Sequence, residues 1–210
     1  MAKIKNIQLF NFRNFKNYKT TFDDKLNILF GDNGSGKTNI LEGISLIAKG
    51  RGIRNSSIVD LIKKKQDNFK IKNILEIQKN TYDVDISLDK NNYKYKKIIR
   101  VNEDSSKESL NFLNKSISFL VFLPEMERLF QASPSYRRNF IDRLIFSARK
   151  DYNTLINKYK KYLIERIKIL KEDNFDNHWL NEIEKNISII GLEIYETRYK
   201  QLQLLNNNIR

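Results

Sequence analysis

The chain has 210 residues and a formal net charge of +14, from 39 lysine and arginine residues against 25 acidic residues. It contains no cysteine and one histidine, which excludes a disulfide scaffold, a cysteine-ligated zinc site and a histidine-rich metal centre. No apolar run approaches the ~20 residues that cross a bilayer, and the amino end has no signal-peptide core, so we expect a cytoplasmic protein without membrane contact.

The positive charge favours a polyanionic partner such as DNA or RNA. Basic residues are spread along a chain that is rich throughout in lysine, asparagine and isoleucine, so a compositional bias is the alternative explanation. Glycine is far more localised, because six of the seven glycines fall between Gly31 and Gly52. Glycine is required where φ is positive or where the backbone approaches a ligand closely, which indicates a binding site in that stretch.

Apolar and polar residues alternate through most of the first thirty residues, which is typical of β-strands. The pattern predicts strands at residues 7–12, 18–22 and 26–30. The third strand leads directly into residues 31–38, and a helix with apolar residues at helical spacing follows until about Gly50.

The middle of the chain predicts an antiparallel β meander, with strands at residues 69–78, 82–88 and 93–101 separated by polar turns. A short helix over residues 107–114 follows. The continuous apolar run 117–123 is typical of a strand that is buried on both faces.

Only helices are predicted from Pro134 to the carboxyl end. Ser133 and Pro134 are the residue types of an N-cap and a first helical position. Two apolar stripes follow, separated by the polar break 172–176, and they predict two long helices in an antiparallel hairpin. The stripes are Leu155, Tyr159, Tyr162, Ile167 and Leu170, and then Trp179, Ile183, Ile187, Ile190 and Ile194.

Residues 31–38 have the complete Walker A, or P-loop, pattern Gly-x4-Gly-Lys-Thr between a predicted strand and a predicted helix. Successive backbone N–H groups of such a loop surround phosphates, so side chains must be missing where the chain folds back. The helix adds its positive N-terminal end, Lys37 is expected to reach the β- and γ-phosphoryl oxygens, and the Thr38 hydroxyl to ligate Mg²⁺. The alternative is a glycine-rich turn that binds nothing.

Hydrolysis of a bound nucleotide also requires a carboxylate at the end of a second buried strand. The nearest candidate is Glu125, which follows the apolar run 117–123 and Pro124. A core strand that ends at a proline turn is the alternative for this segment, so the sequence contains half of an ATPase site and no confirmed catalytic residue. We therefore expect weak nucleotide binding and negligible turnover from this chain alone.

Several segments resemble the RecF recombination-mediator family, in the family's order and over the whole chain. The first fifty residues alone are also similar to the wider group of SMC and ABC-type heads, whereas the later segments are particular to the RecF family. The segments are residues 11–15, 36–44, 50–54, 123–125, 133–142, 160–163 and 179–182.

The resemblance implies an α/β fold, namely a P-loop NTPase of ABC-ATPase head type with an antiparallel β meander and an inserted helical lobe. It implies a head over residues 1–130 and an incomplete helical lobe over residues 131–210. In the family the signature loop and the Walker B aspartate come after that lobe. The resemblance therefore predicts that the chain is an amino-terminal fragment.

The resemblance also implies cofactors, partners and a biological role. ATP with Mg²⁺ would be held between two protomers, so that nucleotide binding drives homodimerisation of the full-length protein. The family is a weak DNA-dependent ATPase that binds gapped or junction duplex DNA and single-stranded DNA. It acts with RecO- and RecR-type mediators in recombinase loading, DNA replication, DNA repair and the SOS response to DNA damage.

By the same resemblance, Arg13 and Asn14 would lie near the adenine or ribose, and Arg51 and Arg54 near phosphate or DNA. The alternative for each arginine is an ordinary basic residue of the surface. The residues assigned to nucleotide binding are thus Gly31, Asp32, Asn33, Gly34, Ser35, Gly36, Lys37, Thr38, Asn39, Arg13 and Asn14.

Three other functions remain open at this point. A small P-loop phosphotransferase, such as a nucleoside or metabolite kinase, would need an acceptor pocket and an arginine-bearing lid, and the predicted meander and helical hairpin disfavour it. A fragment of an SMC-type head is the second alternative. The third is an interaction module in which the P-loop is vestigial.

Overall fold

A computed structural model describes residues 2–48, 50–54, 56–91, 94–122, 131, 133–149, 151–172 and 176–208. The chain forms two compact units, Met1–Phe119 and Leu120–Arg210. Residues 123–130 lie outside the described residues, so the predicted boundary between residues 130 and 131 stays a prediction.

The first unit contains one five-stranded antiparallel sheet with the strand order β2-β1-β3-β4-β5. The hairpin β1–β2 and the meander β3–β4–β5 join where β1 pairs with β3. The predicted strands at both places and the antiparallel meander are confirmed. The strands are β1 Ala2–Phe12, β2 Phe15–Thr21, β3 Lys70–Ile77, β4 Asn80–Asn91 and β5 Lys94–Val101.

One face of this sheet is the core of the unit, because side chains two residues apart along a strand point the same way. Ile7 and Leu9 of β1 and Ile71 and Leu75 of β3 are all buried on that face. Helix α1, Lys37–Ser45, packs there through Gly43, where an added Cβ would lie 2.9 Å from Leu9 Cδ2. Glycine at this position thus lets the helix that follows the P-loop approach the sheet closely.

The remaining elements of the first unit are a 3₁₀ turn, Val59–Leu61, and helix α2, Lys107–Ser116. Helix α2 confirms the short helix predicted at residues 107–114. Helix α1 ends at Ser45 rather than near Gly50, and the buried Ile47 lies in the turn that follows. Sheet and helices together confirm the predicted α/β class.

Two predicted strands are wrong. Residues 26–30 join no sheet, and neither do residues 117–122, the described part of the second run. The sequence pattern indicates which side chains are suited to burial. A β-strand also requires a second strand whose backbone forms hydrogen bonds with it. Neither segment pairs with a strand of the five-stranded sheet in the part of the chain that the structure describes.

The second unit contains the predicted helices: α3, Pro134–Ala148, α4, Tyr152–Ile169, and α5, Asn177–Asn208. Helix α3 starts as predicted, with Ser133 as the N-cap that accepts a hydrogen bond from the Tyr136 N–H. The start of α4 packs on the middle of α5, through Tyr152 and Ile194, while its end packs on the start of α5. Helices α4 and α5 are therefore antiparallel, as predicted.

The predicted apolar stripes are wrong at three positions. Ile167, Leu170 and Trp179 are exposed, and Ile169 is the buried residue at the end of α4. Among the described residues, none of the helices is both long enough and apolar enough to cross a membrane.

Candidate nucleotide-binding site

The P-loop has a backbone that glycine alone adopts without strain. Gly31, Gly34 and Gly36 have φ angles of +141°, +85° and +108°, in the region that L side chains avoid. At Gly36 a Cβ would also lie 2.9 Å from Phe15 Cε2 and 3.0 Å from Asn14 Nδ2. The hairpin β1–β2 thus packs directly against the loop and leaves no room for a side chain there.

Helix α1 starts immediately after this loop without a cap of its own. Gly36 is the N-cap and has no side chain to accept a hydrogen bond, and the first turn contains no acidic residue. The first intrahelical hydrogen bond at this end joins the Ile40 N–H to the Gly36 carbonyl, at 3.0 Å. The earlier N–H groups and the helix dipole therefore favour an anion at this end of α1.

Lys37 lies against the loop that it follows. Its ammonium donates hydrogen bonds to the carbonyl oxygens of Gly31, at 2.6 Å, and Asp32, at 2.8 Å. Thr38 beside it is exposed, so its hydroxyl is accessible to a ligand. A phosphate at the start of α1 would meet a cation and several N–H donors, which fits the chemistry of a nucleotide's phosphates.

The residues present fit Mg²⁺ less completely. Thr38 offers one hydroxyl oxygen, and no cluster of three or more histidine, cysteine or acidic residues exists among the described residues. Mg²⁺ takes much of its coordination from water and from substrate phosphates, so one protein ligand and a nucleotide are compatible with it. Glu125, the predicted candidate carboxylate, lies outside the described residues.

A buried ion-pair cluster lies on α1 beside the P-loop. The Glu42 carboxylate is fully buried and accepts two hydrogen bonds from the Arg13 guanidinium, at 2.8 Å and 2.7 Å. Arg54 Nη1 donates to Glu42 Oε2 at 3.2 Å, and the Ser56 hydroxyl donates to Oε1 at 3.2 Å. A buried carboxylate is stable only when it is paired, so this cluster fixes Arg13 to the helix.

Asparagine side chains connect that cluster to the P-loop. Asn39 Nδ2 donates to Asn14 Oδ1 at 2.8 Å, and Asn39 Oδ1 accepts from Arg54 Nη1 at 2.8 Å. The backbone carbonyl of Asn14 accepts a hydrogen bond from Lys63 Nζ at 2.7 Å. These side chains border a cleft of about 460 Å³, lined by Arg13, Asn14, Asn39, Arg54, Asp60, Ile62, Lys63 and Lys64.

The structure thus brings Arg13, Asn14, Asn39 and Arg54 together and separates Arg51 from them. Arg51 is exposed and borders a different cleft. Sequence reasoning missed Glu42, because its partner Arg13 lies 29 residues earlier in the chain. On the predicted helix Glu42 lies opposite Ile40 and Ile44, where a polar side chain is expected to face solvent, so no local signal marked its burial.

Sequence reasoning also missed Lys97, which lies at the other end of α1. Its ammonium donates hydrogen bonds to the carbonyl oxygens of Leu46, Ala48 and Gly50, at 3.0, 3.1 and 2.7 Å. Burial lowers the pKa of Lys97 to about 8, because the charged form loses hydration. Lys97 therefore ties strand β5 to the carbonyl end of α1, and no local pattern marks it among so many lysines.

Comparison with known proteins adds independent findings. The family model described as RecF/RecN/SMC N terminal domain matches residues 3–128. The DNA replication and repair protein RecF of Rickettsia typhi is 38% identical over 204 residues, which are 97% of this chain and 55% of that protein. RecF of Rickettsia prowazekii is 37% identical over the same shares.

Two solved structures are similar over 98% of this chain. The recombination mediator protein RecF-ATPrS in the RecFOR pathway is 28% identical, with a TM-score of 0.79 and 56% of that chain covered. The RecF-ATP structure is 27% identical, with a TM-score of 0.78 and 55% covered. The chain spans about half the length of the curated relatives it matches.

Proposed function

The chain belongs to the RecF/RecN/SMC N-terminal domain family, and from that premise we propose that it is the ATP-binding part of a RecF-type DNA replication and repair protein. The observation that carries the proposal is the uncapped start of α1, where three positive-φ glycines and Lys37 surround a position suited to an anion. RecF structures with ATP and with ATPrS, which match this chain over 98% of its length, support ATP as the nucleotide.

In this proposal the N–H groups of residues 31–39 hold the phosphates of ATP, and Lys37 exchanges its two loop carbonyls for phosphoryl oxygens. Thr38 would contribute its hydroxyl to a bound Mg²⁺, which would supply neutralisation of the phosphate charge. The adenosine occupies the cleft bordered by Asn14 and Arg13, because that cleft adjoins the loop through the Asn14 amide. Arg13 then positions the cleft wall through Glu42.

The wider activities of RecF-type proteins belong to the same proposal. They are ATP-driven homodimerisation, binding of gapped or junction duplex and single-stranded DNA, and cooperation with RecO- and RecR-type mediators in the cytoplasm. They serve recombinase loading and the SOS response. The net charge of +14 supports a nucleic-acid partner, and the exposed Arg51 and Arg54 are the proposed DNA contacts. The head at residues 1–130 would carry the nucleotide and residues 131–210 the helical lobe.

Lys37→Ala tests the nucleotide site. We expect the Kd for Mg-ATP, measured by isothermal titration calorimetry, to rise by about 10- to 100-fold, because a charge-assisted hydrogen bond to phosphate is lost. Lys25→Ala removes the same charge from an exposed position and is the matched control. Equal Mg-ATP affinity in Lys37→Ala and the unaltered chain would contradict the proposal.

The same samples separate this proposal from its alternative, a small P-loop phosphotransferase. Phosphorylation of a small acceptor, without DNA binding, would favour that enzyme class. We expect negligible ATP turnover from this chain, since Thr38 has no carboxylate cluster beside it among the described residues.

A further inference from the structure

The cleft of about 460 Å³ beside the P-loop combines four cations with one carboxylate. In the part of the chain that the structure describes, its charged lining residues are Asp60, Arg13, Arg54, Lys63 and Lys64. The proposed function places the adenosine of ATP in this cleft. Asp60 therefore carries the one negative lining group near the proposed position of the base.

The Asp60 side chain is available to a ligand. Its carboxylate accepts no hydrogen bond and forms no ion pair with any other described residue, and the residue is exposed. Its backbone, in contrast, is engaged on both sides. The Asp60 carbonyl accepts a hydrogen bond from Arg13 Nη1 at 2.9 Å, and the Asp60 N–H donates to the Ser57 carbonyl at 3.1 Å.

The two side-chain amide oxygens of the cleft already accept hydrogen bonds. Asn14 Oδ1 accepts from Asn39 Nδ2, and Asn39 Oδ1 accepts from Arg54 Nη1, both at 2.8 Å. The lysine and arginine side chains of the cleft contain donors and no acceptor. Asp60 thus supplies the one unengaged side-chain acceptor among the described lining residues.

The segment that contains Asp60 is fixed to the end of β1. The Arg13 N–H donates to the Leu61 carbonyl, and the Lys63 N–H donates to the Asn11 carbonyl, both at 2.8 Å. Leu61 is buried in the core of the first unit. An acceptor on an anchored segment can select between ligands, because the segment does not move to suit each of them.

The purine bases differ in what they offer to such an acceptor. Adenine has a donor at position 6, its amino group, whereas guanine has an acceptor oxygen there and carries its donors at positions 1 and 2. An ionised carboxylate accepts hydrogen bonds and donates none. A carboxylate placed for one base therefore does not suit the other base in the same orientation, and the similarity to a RecF structure with ATP favours adenine.

We infer that the Asp60 carboxylate accepts a hydrogen bond from the 6-amino group of adenine and makes the site selective for ATP over GTP. The inference rests on the proposed function, because it requires the adenosine of ATP to occupy this cleft. It adds a residue that determines base specificity to the phosphate contacts of Lys37, which every nucleoside triphosphate would make.

Asp60→Ala tests the inference with three nucleotides: ATP, GTP and purine riboside triphosphate, which lacks the 6-amino group. Isothermal titration calorimetry measures the Kd of each as its Mg²⁺ complex. In the unaltered chain we expect ATP to bind at least about tenfold more tightly than either of the others. In Asp60→Ala the Kd for ATP should rise by about tenfold, while the Kd for purine riboside triphosphate should change by less than about twofold.

Asp60→Asn and Asp67→Ala complete the set of variants. Asparagine keeps an acceptor and adds a donor, so Asp60→Asn should bind ATP and GTP within about threefold of each other. Asp67→Ala removes an exposed acidic residue that does not line the cleft, and it should leave the preference for ATP unchanged. Circular dichroism verifies the fold of each variant.

Three results would overturn the inference. One is an unaltered chain that binds the three nucleotides equally. Another is an equal change in Kd for ATP and purine riboside triphosphate in Asp60→Ala, because Asp60 would then act on the triphosphate charge and not on the base. The third is a preference for GTP that Asp60→Ala abolishes, which would assign guanine to the cleft.

These results are distinguishable from failure of the proposed function. Lys37→Ala should weaken all three nucleotides by the same factor, since it acts on the phosphates that they share. An unaltered chain that binds none of the three would overturn the proposed function, and this inference with it. Loss of base preference alone leaves the phosphate site intact.

Discussion

Helices α1 and α2 of the first unit begin in opposite ways. Helix α2 has its own anion, because the Asp104 carboxylate accepts hydrogen bonds from the Ser106 N–H, at 2.9 Å, and from the hydroxyls of Ser106 and Ser109. Ser106 is also its N-cap. Helix α1 begins differently. Its N-cap Gly36 has no side chain that could accept a hydrogen bond, and its first residue, Lys37, is a cation. The comparison supports the proposal that α1 binds an anion from outside the chain.

The two ends of α1 show the same contrast. Lys97 at the carbonyl end donates to three backbone carbonyls and is half-buried, in the place where a helix dipole favours a cation. Lys37 at the amino end donates to two loop carbonyls, in the place where the dipole disfavours a cation. Lys97 therefore stabilises the fold, whereas Lys37 has the position expected of a residue that binds an anion, as the proposed function requires.

Among these predictions, Glu42→Gln should have the largest effect on stability. It removes the one carboxylate within α1. We expect the free energy of unfolding to fall by about 3–5 kcal/mol, because Arg13 and Arg54 lose a buried counter-charge. Urea denaturation measures the effect, and Glu172→Gln at an exposed position is the control. A large rise in phosphate affinity instead would mean that Glu42 itself serves as the anion of α1.

Lys97→Met sharpens the contrast between the ends of α1. We expect a loss of about 1–3 kcal/mol in the free energy of unfolding, because three backbone carbonyl oxygens, two of them partly buried, lose their donor. The Kd for Mg-ATP should stay unchanged, since the substitution lies at the end of α1 opposite the P-loop. Lys96→Met, the exposed neighbour, is the control. An increase in the free energy of unfolding of Lys97→Met would show instead that the Lys97 ammonium destabilises the folded state.

The smallest expected effect is the acid dependence of the start of α2. Hydrogen bonds from Ser106 and Ser109 lower the pKa of Asp104 from 3.8 to about 2. A lowered pKa in the folded state adds stability above the unfolded pKa and loses it as the pH falls through about 2. The difference in Tm between the unaltered chain and Asp104→Asn should therefore be constant from about pH 5 to 7 and shrink between about pH 4 and 2.

Asp67→Asn, at an exposed position, controls for the loss of one acidic group. A difference in Tm between the unaltered chain and Asp104→Asn that persisted unchanged to pH 2 would remove the serine contacts as its cause.

The features predicted correctly from the sequence are those that depend on residues close together in the chain. The P-loop follows from glycine positions, the meander from alternation and polar turns, and the start of α3 from Ser133 and Pro134. Residues 26–30 were predicted as a strand on equally good local grounds. That prediction was wrong for this structure, because pairing depends on a neighbour that the described chain does not supply.

In the candidate site too, residues that belong to a local motif were predicted, and contacts between distant residues were not. Lys37 and Thr38 were predicted from the motif, whereas the pairing of Arg13 with Glu42 joins residues 29 positions apart. Contacts at that separation are decided by which strands and helices pack together. A single sequence without aligned relatives carries no record of such pairs.

The hydrogen bonds from Lys37 to the Gly31 and Asp32 carbonyls join the two ends of the P-loop. Preorganisation of this kind reduces the entropic cost of capture, since the loop is ordered during folding and not during binding. In the proposed function, nucleotide binding would then be an exchange of hydrogen-bond acceptors on the Lys37 ammonium group. Capture by such a loop should be fast and readily reversible.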